Sequence, residues 1–396
     1  MSRRPAAPGS RPRNRKELIL LAAGRAFAAG GYPGTSMEDI ARAVGITAAA
    51  LYRHVPSKYE LFRQCTEVMV GSLAETLAEQ EADADLGQVL LALARTTVAD
   101  RATGSLYRWE ARYLDADDRA SLRARFAEVV EGVDAHVGRA APEPAASRSS
   151  RTAAALGAIG SVTVHRTSLA ARRLERLVTE AALRAATADV DLHADDRGGA
   201  GSGETSVASV LAPGAGRREQ ILAAAVPLFH REGFAQVTMS RIAADVGLTP
   251  SALYRHFDGK TEILAAACLQ AADSLQAAVQ ARVDVDTAPR LALAGLAEAY
   301  VDHAFACTAL TAVAEAEVLG LPEDLRRPVV QVQRDHVGLW TEQLRRHRPE
   351  LEVREARVLV HAALGVVVEV GRHLHWQDSP GHRRVTRELM LRALDA

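Results

Sequence analysis

The sequence reads Gly45-Ile46-Thr47-Ala48-Ala49-Ala50-Leu51-Tyr52-Arg53-His54 at one place and Gly247-Leu248-Thr249-Pro250-Ser251-Ala252-Leu253-Tyr254-Arg255-His256 at another. This repeated segment is the strongest indication of the architecture. At the same offset of 202 positions, residues 15–62 align with 217–264 without a gap and share 21 identities in 48 positions. Self-similarity of this kind indicates a duplicated structural unit. Because the offset is close to half of the 396 residues, we expect two similar halves.

Each copy also carries the signals of short helices. Ser36 is expected to cap a second helix, Gly45 to form the turn after it, and Thr47 to cap a third helix. The equivalent residues of the second copy are Thr238, Gly247 and Thr249, with Pro250 at the first helical position, where proline is favoured. Two short helices joined by a glycine turn predict a helix-turn-helix, whose second helix fits the major groove of DNA.

The composition excludes a β architecture and a membrane span. Aromatic residues make up 4% of the chain and hydrophobic residues 48%, with Ala and Arg recurring throughout, which favours helices built from small residues. Three cysteines without a CxxC pair fit a reducing compartment. No apolar run approaches the roughly 20 residues that cross a bilayer. We therefore expect an all-α, cytoplasmic protein without a membrane segment, associated with the nucleoid if it binds DNA.

The repeated segments resemble the TetR family of bacterial transcription regulators. The resemblance rests on Thr35-Ser36-Met37-Glu38-Asp39-Ile40-Ala41, on Leu51-Tyr52-Arg53-His54-Val55-Pro56-Ser57-Lys58 and on Leu253-Tyr254-Arg255-His256-Phe257-Asp258-Gly259-Lys260. It implies two tandem units, each a three-helix helix-turn-helix domain followed by a helical domain for ligand binding and dimerisation. It also implies a DNA-binding regulator that is not an enzyme and needs no cofactor.

These signals predict six segments along the chain. They are a basic N-terminal arm (1–14), a first helix-turn-helix domain (15–62), a first helical regulatory domain (63–188), a flexible linker (189–216), a second helix-turn-helix domain (217–264) and a second helical regulatory domain (265–396).

The predicted DNA contacts divide into phosphate contacts and base contacts. Tyr52, His54 and Lys58 are expected to reach the phosphate backbone, whereas Ala48 and Ala49 can offer only apolar contacts, for example to a thymine methyl group. The remaining candidates are Thr35, Ser36 and Thr47 in the first copy, and Thr238, Thr249, Pro250, Ser251, Tyr254, His256 and Lys260 in the second. Since the two recognition helices differ, we expect the two domains to prefer different half-sites on a double-stranded operator.

Local charge favours the first domain as the electrostatic anchor. Residues 1–62 hold ten Lys/Arg and four Asp/Glu, a net of +6, whereas 217–264 hold six and five, a net of +1. The arginines of the N-terminal arm can enter a minor groove or bind phosphate. An alternative reading is that the second helix-turn-helix is degenerate and the regulator is a homodimer.

The helical regions suggest how the halves pair and what they sense. By the resemblance, the last two helices of each half (149–167 with 169–187, and 354–375 with 382–396) would form a four-helix bundle, either as an internal pseudo-dimer or as a homodimer. An aromatic cluster with one acid is the candidate pocket for a small apolar effector that would release a repressor. Its members are Tyr107, Trp109, Glu110, Tyr113 and Phe126.

A catalytic or metal-dependent function has weaker support. Glu369 and His373 stand four residues apart, which leaves a metal-responsive regulator as an alternative. No HExxH motif, nucleophile elbow, phosphate loop or paired-cysteine motif accompanies them. We therefore predict neither a metal site nor an enzyme.

Overall fold

The computed structural model describes residues 15–107, 113–141, 145–190, 216–284 and 286–396. Within these ranges the regular structure is helical and contains no strand, which confirms the all-α prediction. The first half contains α1 (Arg15–Gly34), α2 (Met37–Val44), α3 (Ala48–Tyr52), α4 (Lys58–Ala78), α5 (Leu86–Ala99), α6 (Arg101–Ser105), α7 (Ala116–Ala140), α8 (Ala145–Gly160) and α9 (Ala171–Ala186). The second half contains α10 (Arg217–Glu232), α11 (Met239–Asp245), α12 (Pro250–Tyr254), α13 (Lys260–Gln280), α14 (Pro289–Ala306), α15 (Thr308–Glu317), α16 (Glu323–His347), α17 (Val353–His373) and α18 (Pro380–Leu394).

The duplication extends beyond the repeated segment. In the described residues each half has nine α-helices in the same order, and α1–α4 match α10–α13 at the offset of 202 that the sequence predicted. The predicted arm and nearly all of the predicted linker lie outside the described residues.

The contacts divide the chain into two compact units, whose limits differ from those of the repeat. The first comprises Met1–Ser72 and Asp100–Arg125, and the second comprises Leu73–Ala99 and Phe126–Ala396. Helix α4 runs from Lys58 to Ala78 without an interior proline, and so continues across the predicted domain boundary after residue 62. The division into six segments therefore stays a sequence-based prediction.

Aromatic rings form part of the core of the first unit. Phe27 of α1 packs edge-on against Phe62 of α4, with ring centroids 5.3 Å apart. Tyr32 lies against Phe62 at 4.5 Å and against Tyr113 at 5.5 Å. Edge-on and tilted aromatic pairs of this kind stabilise a core beyond their buried area. They fix α1 against α4, the helix that follows the recognition helix.

Four helices of the second unit, α8, α9, α17 and α18, pack together. Two come from each half of the chain, and their bounds lie within a few residues of the predicted pairs. At their crossing α8 and α17 approach so closely that a Cβ atom on Gly157 would overlap the carbonyl oxygen of Gly365, and the reverse is also true. Only glycine allows this approach. The same three residues lie at this crossing in both halves, as Ala155-Leu156-Gly157 and Ala363-Leu364-Gly365.

Polar contacts across these four helices are not symmetric between the halves. Arg173 of α9 donates to the carboxylate of Glu355 on α17, and Glu355 is buried. The ring of His165 stacks on that of His361, with centroids 4.4 Å apart. At the offset of 208 that relates Gly157 to Gly365, the residue equivalent to Glu355 is Ser147, which has no carboxylate. The ion pair therefore joins a first-half helix to a second-half helix specifically.

Candidate nucleic-acid interface

The first helix-turn-helix is built by caps at both of its helices. The Ser36 hydroxyl accepts from the amide of Asp39 at 3.1 Å, and the Asp39 carboxylate accepts from the amide of Ser36 at 3.3 Å. This reciprocal capping fixes the start of α2. The hydroxyl and the amide of Ser36, with Arg42, hold the pKa of Asp39 below its usual value. Gly45 then adopts φ +70°, and the Thr47 hydroxyl accepts from the amide of Ala50 at 3.1 Å, where α3 begins.

The second helix-turn-helix repeats this construction. The Thr238 hydroxyl caps α11 by accepting from the amide of Arg241 at 3.2 Å. Gly247 adopts φ +65°, and the Thr249 hydroxyl accepts from the amide of Ala252 at 3.2 Å. Both turns need a left-handed residue, which glycine adopts without strain. The capping roles that the sequence suggested for Ser36, Thr47, Thr238 and Thr249 are therefore present in the structure.

The recognition helices α3 and α12 each have one buried side and one exposed side. Leu51 and Leu253 are fully buried and attach the helices to their domains. On the outer side Ala49 is exposed and Ala48 partly exposed in α3, and Pro250 and Ser251 are exposed in α12. The residues expected to read bases thus lie on accessible surface, and their side chains differ in chemistry between the two domains.

Two tyrosines stand out at the ends of these helices. Tyr52 is 48% exposed and Tyr254 is 52% exposed, whereas the other Phe, Tyr and Trp rings among the described residues are buried or partly buried. Their neighbours Arg53 and Arg255 are also exposed. Arginine is a strong phosphate ligand, so these two residues add to the predicted contact surface. Sequence reasoning passed over both arginines, although each is the cation inside the repeated Leu-Tyr-Arg-His motif.

The two histidines of this motif differ between the copies. His54 is exposed, whereas His256 is only partly exposed. The main-chain carbonyl of His256 accepts from the guanidinium of Arg218 at 2.5 Å. The structure therefore leaves the first histidine more accessible to a phosphate than the second.

Thr35 differs from the expectation of a DNA contact. It is 5% exposed, and its hydroxyl donates to the carbonyls of Gly31 at 2.8 Å and Ala26 at 3.1 Å. These carbonyls lie near the end of α1, where helix carbonyls need partners. Thr35 thus closes the end of α1, and we remove it from the candidate contact surface. Ser36, the adjacent residue, keeps its place at the cap of α2.

The two lysines predicted to bind phosphate occupy different surroundings. Lys58 is partly buried, with its ammonium 4.6 Å from the centroid of the Tyr32 ring. Lys260 donates to three main-chain carbonyl oxygens, those of Phe234, Ala235 and Val237. Sequence alone could not separate the two, because both precede a helix at the same place in the repeat.

The predicted effector residues are only partly covered by the described structure. Trp109 and Glu110 lie outside the described residues, whereas Tyr107, Tyr113 and Phe126 are partly buried. Two open grooves lie elsewhere. One, of about 490 Å³, includes Asp134, Arg148 and His373, and the other, of about 430 Å³, includes Arg345, Arg346 and Arg357. Neither groove is lined by a predicted effector residue, so the pocket stays a prediction.

The remaining sequence alternatives concern metals and membranes. Among the described residues, no group of three or more His, Cys, Asp or Glu side chains is placed to hold a metal ion. Glu369 instead pairs with Arg372, with the nitrogen and oxygen 3.0 Å apart. In the same part of the chain, no helix is both long and apolar enough to span a bilayer.

Comparison with known proteins supports the duplicated domain. A family model described as bacterial regulatory proteins of the tetR family matches residues 19–65 and again 221–267. The two matches coincide with the two helix-turn-helix regions, which confirms the predicted tandem duplication.

Individual relatives cover smaller parts of the chain. An uncharacterized HTH-type transcriptional regulator, YerO of Bacillus subtilis, is 36% identical over 52 residues, which are 13% of this chain and 18% of that protein. The HTH-type transcriptional repressor AcnR of Corynebacterium efficiens is 33% identical over 73 residues, 18% of this chain and 39% of that protein. The chain thus spans less than two fifths of the length of these curated relatives.

Solved structures align with about half of the chain. The ketosteroid transcriptional regulator KstR2 of Mycobacterium tuberculosis is 22% identical, with a TM-score of 0.40, and the alignment covers 47% of this chain and 97% of that one.

Proposed function

We propose that the chain, which matches the family model of tetR-type bacterial regulatory proteins at residues 19–65 and 221–267, is a sequence-specific DNA-binding repressor. In this proposal one chain reads one operator. Its two halves pair through α8, α9, α17 and α18 as an internal pseudo-dimer. The observation that carries the proposal is the packing of these four helices, two from each half, within a single chain.

The polar contacts of this bundle favour pairing of unlike halves. Arg173 of the first half meets the buried Glu355 of the second half. Two second halves from separate chains would leave the buried Glu355 carboxylate without its partner, because Gly381 stands where the partly exposed Arg173 stands in the first half. Removing one partner of a buried ion pair is strongly unfavourable. This contrast supports the internal pseudo-dimer over a homodimer of like halves.

The exposed side chains of α3 and α12 define how each domain would read DNA. Tyr52, Arg53 and Lys58 supply phosphate contacts in the first domain, and Tyr254 and Arg255 supply them in the second. Base contacts would come from the apolar Ala48 and Ala49 in the first domain, and from Pro250 and Ser251 in the second. A serine hydroxyl can hydrogen-bond a base edge whereas alanine cannot. The operator therefore has two unlike half-sites, about 34–36 Å or one turn apart.

Release from DNA is the regulatory step of the proposal. A small apolar effector lowers operator affinity only if it binds better to an arrangement in which the recognition helices no longer match the half-sites. Tyr107 and Tyr113, with Trp109 and Glu110 between them in sequence, are the residues we assign to its pocket.

A double substitution tests the assigned DNA surface. Replacing Tyr52 and Lys58 together with alanine removes one hydrogen-bonding hydroxyl and one cation, and we expect operator affinity to fall roughly 10- to 100-fold. The slope of log affinity against log salt should fall by about 1, since one lysine contact is lost. Fluorescence anisotropy with a duplex selected by the wild-type protein measures both quantities.

Arg357→Ala is the matched control for charge. It also removes an exposed cation, but from the groove on α17, far along the chain from either helix-turn-helix. Its affinity and salt slope should equal those of the wild type. Wild-type affinity in the Tyr52/Lys58 variant would refute the assigned surface.

A further inference from the structure

Lysine is rare in this chain, and two of its lysines occupy equivalent positions of the repeat. Of the 48 basic side chains only Lys16, Lys58 and Lys260 are lysine, and the last two are equivalent in the repeat. Each begins the helix that follows its recognition helix. An ammonium is a compact charge with three donors, whereas a guanidinium is a planar fork, so the two are not interchangeable at a confined site. The use of lysine here points to a specific need for the ammonium.

The surroundings of Lys260 show what that need is. Its Nζ atom lies 2.6 Å from the carbonyl oxygen of Phe234, 2.9 Å from that of Ala235 and 3.1 Å from that of Val237. Since an ammonium has three N–H donors, all of them are engaged. The Phe234 ring covers the same ammonium, with its centroid 4.9 Å away. Little donor capacity is left for a DNA phosphate.

The three carbonyls belong to the turn between α10 and α11, so the contact joins two distant points of the domain. Residues 238–259, which hold both helices of the helix-turn-helix, lie between this turn and Lys260. The ammonium therefore fixes the two ends of the DNA-reading segment against each other. A connection of this kind limits how α12 can tilt relative to the rest of the domain.

A second cation, Arg218, also contacts the DNA-reading segment. The guanidinium of Arg218 on α10 donates to the carbonyl of His256, and lies 3.9 Å from the centroid of the Phe257 ring. It also pairs with Glu262 at 3.2 Å, and Glu262 accepts from the amide of Asp258 at 2.7 Å. The end of α12 is thus tied to both α10 and α13.

The first domain lacks this arrangement. Lys58 contacts the Tyr32 ring, and among the described contacts no carbonyl oxygen accepts from it. Glu60, the equivalent of Glu262, is bound by Arg63 and Gln64 of its own helix, and the Arg63 contact lowers its pKa to about 2. The two equivalent lysines therefore differ in their availability to DNA.

We propose that Lys260 is a positioning residue, which holds the second recognition helix in its reading orientation from within the domain, while Lys58 contacts a DNA phosphate directly. The proposal rests on the DNA-binding function proposed above. It divides one repeated motif between two tasks: an electrostatic contact in the first domain and an internal clamp in the second.

Paired substitutions Lys58→Gln and Lys260→Gln separate the two tasks, because each removes one positive charge at the same repeat position. Lys58→Gln should lower the slope of log affinity against log salt by about 1. Lys260→Gln should lower affinity several-fold with an unchanged slope. It should also reduce the penalty for base substitutions in the half-site read by the second domain, and in that half-site only. A slope that falls as much for Lys260→Gln as for Lys58→Gln would overturn the proposal.

Lysine acetylation of the wild-type protein gives a readout that does not depend on how the variants fold. Lys16 is exposed and serves as the internal reference for the reaction rate, measured by mass spectrometry. Lys260 should react slowly both with and without the selected duplex, whereas Lys58 should react when free and be protected by DNA. Reaction of Lys260 at the rate of Lys16, with protection by DNA, would contradict the assignment of Lys260 as a positioning residue. Absence of DNA protection at Lys58 would instead count against the proposed DNA-binding surface.

Discussion

Replacing Gly157 with alanine is expected to destabilise the protein by about 2–3 kcal/mol, as overpacking of a close helix contact does. The new methyl group would overlap the carbonyl oxygen of Gly365, and would lie 3.1 Å from the Cβ atom of Glu369. The backbone oxygen cannot rotate away as a side chain could, so α8 and α17 must separate. Urea unfolding followed by helical circular dichroism measures the loss.

The same variant should also weaken operator binding. If the bundle joins the two reading domains, its disruption lowers affinity for a full operator toward that for a single half-site. Gly338→Ala is the control, because nothing lies within 4 Å of the added methyl group on α16. There alanine should raise stability by up to about 1 kcal/mol through helix propensity. Equal stability of the Gly157 variant and the wild type would contradict the close crossing as a structural requirement.

Acidification is expected to cost stability through two partly buried histidines of the second half, His303 and His336. Burial lowers the pKa of His303 to about 4, and burial together with the nearby His303 lowers the pKa of His336 to about 4. The indole N–H of Trp340 donates to His336 at 3.0 Å, which requires a neutral imidazole nitrogen as acceptor. The folded protein thus holds both rings neutral.

The direction of the pH effect follows from the unfolded state. There each histidine binds a proton below its usual pKa of 6.5, while the folded form resists protonation until about pH 4. Stability is therefore complete above pH 6.5 and falls as pH decreases toward 4, by up to about 1.4 kcal/mol per pH unit for each histidine. Between pH 7.5 and pH 5 the two together should account for roughly 4 kcal/mol, measured by urea unfolding.

A double variant isolates this contribution from the other titrating groups. His303→Gln with His336→Gln removes both buried bases, so its stability should change much less with pH than that of the wild type, even if it is lower at pH 7.5. Parallel pH profiles for the two proteins would show that these histidines do not cause the acid sensitivity.

The sequence predicted the features that depend on local chemistry. Ser36, Thr47 and Thr249 cap helices as their side chains suggest, and the two glycine turns occupy left-handed positions. The Ala-Leu-Gly segments of the two halves lie at the helix crossing, a contact that the sequence alone did not predict. Repetition made these signals reliable, since each was visible twice.

Features that depend on long-range packing could not be predicted from the sequence. Thr35 stands beside a true capping residue, yet its hydroxyl turns inward to α1. Lys260 matches Lys58 in the motif, but its partners lie 23–26 residues earlier in the chain. No sequence motif marks His303 or His336, whose partial burial arises from the packing of α14 with α16. Such contacts join residues that are distant in sequence, so spacing along the chain does not predict them.

The number of chains bound to one selected operator distinguishes an internal pseudo-dimer from a homodimer. The purified chain is used to select duplexes from a random DNA library, and the mass of the complex with the enriched duplex is then measured. We predict one chain per duplex and two unlike half-sites about one helical turn apart. A palindromic site occupied by two chains would contradict the internal pseudo-dimer, because like domains of separate chains would then read the operator.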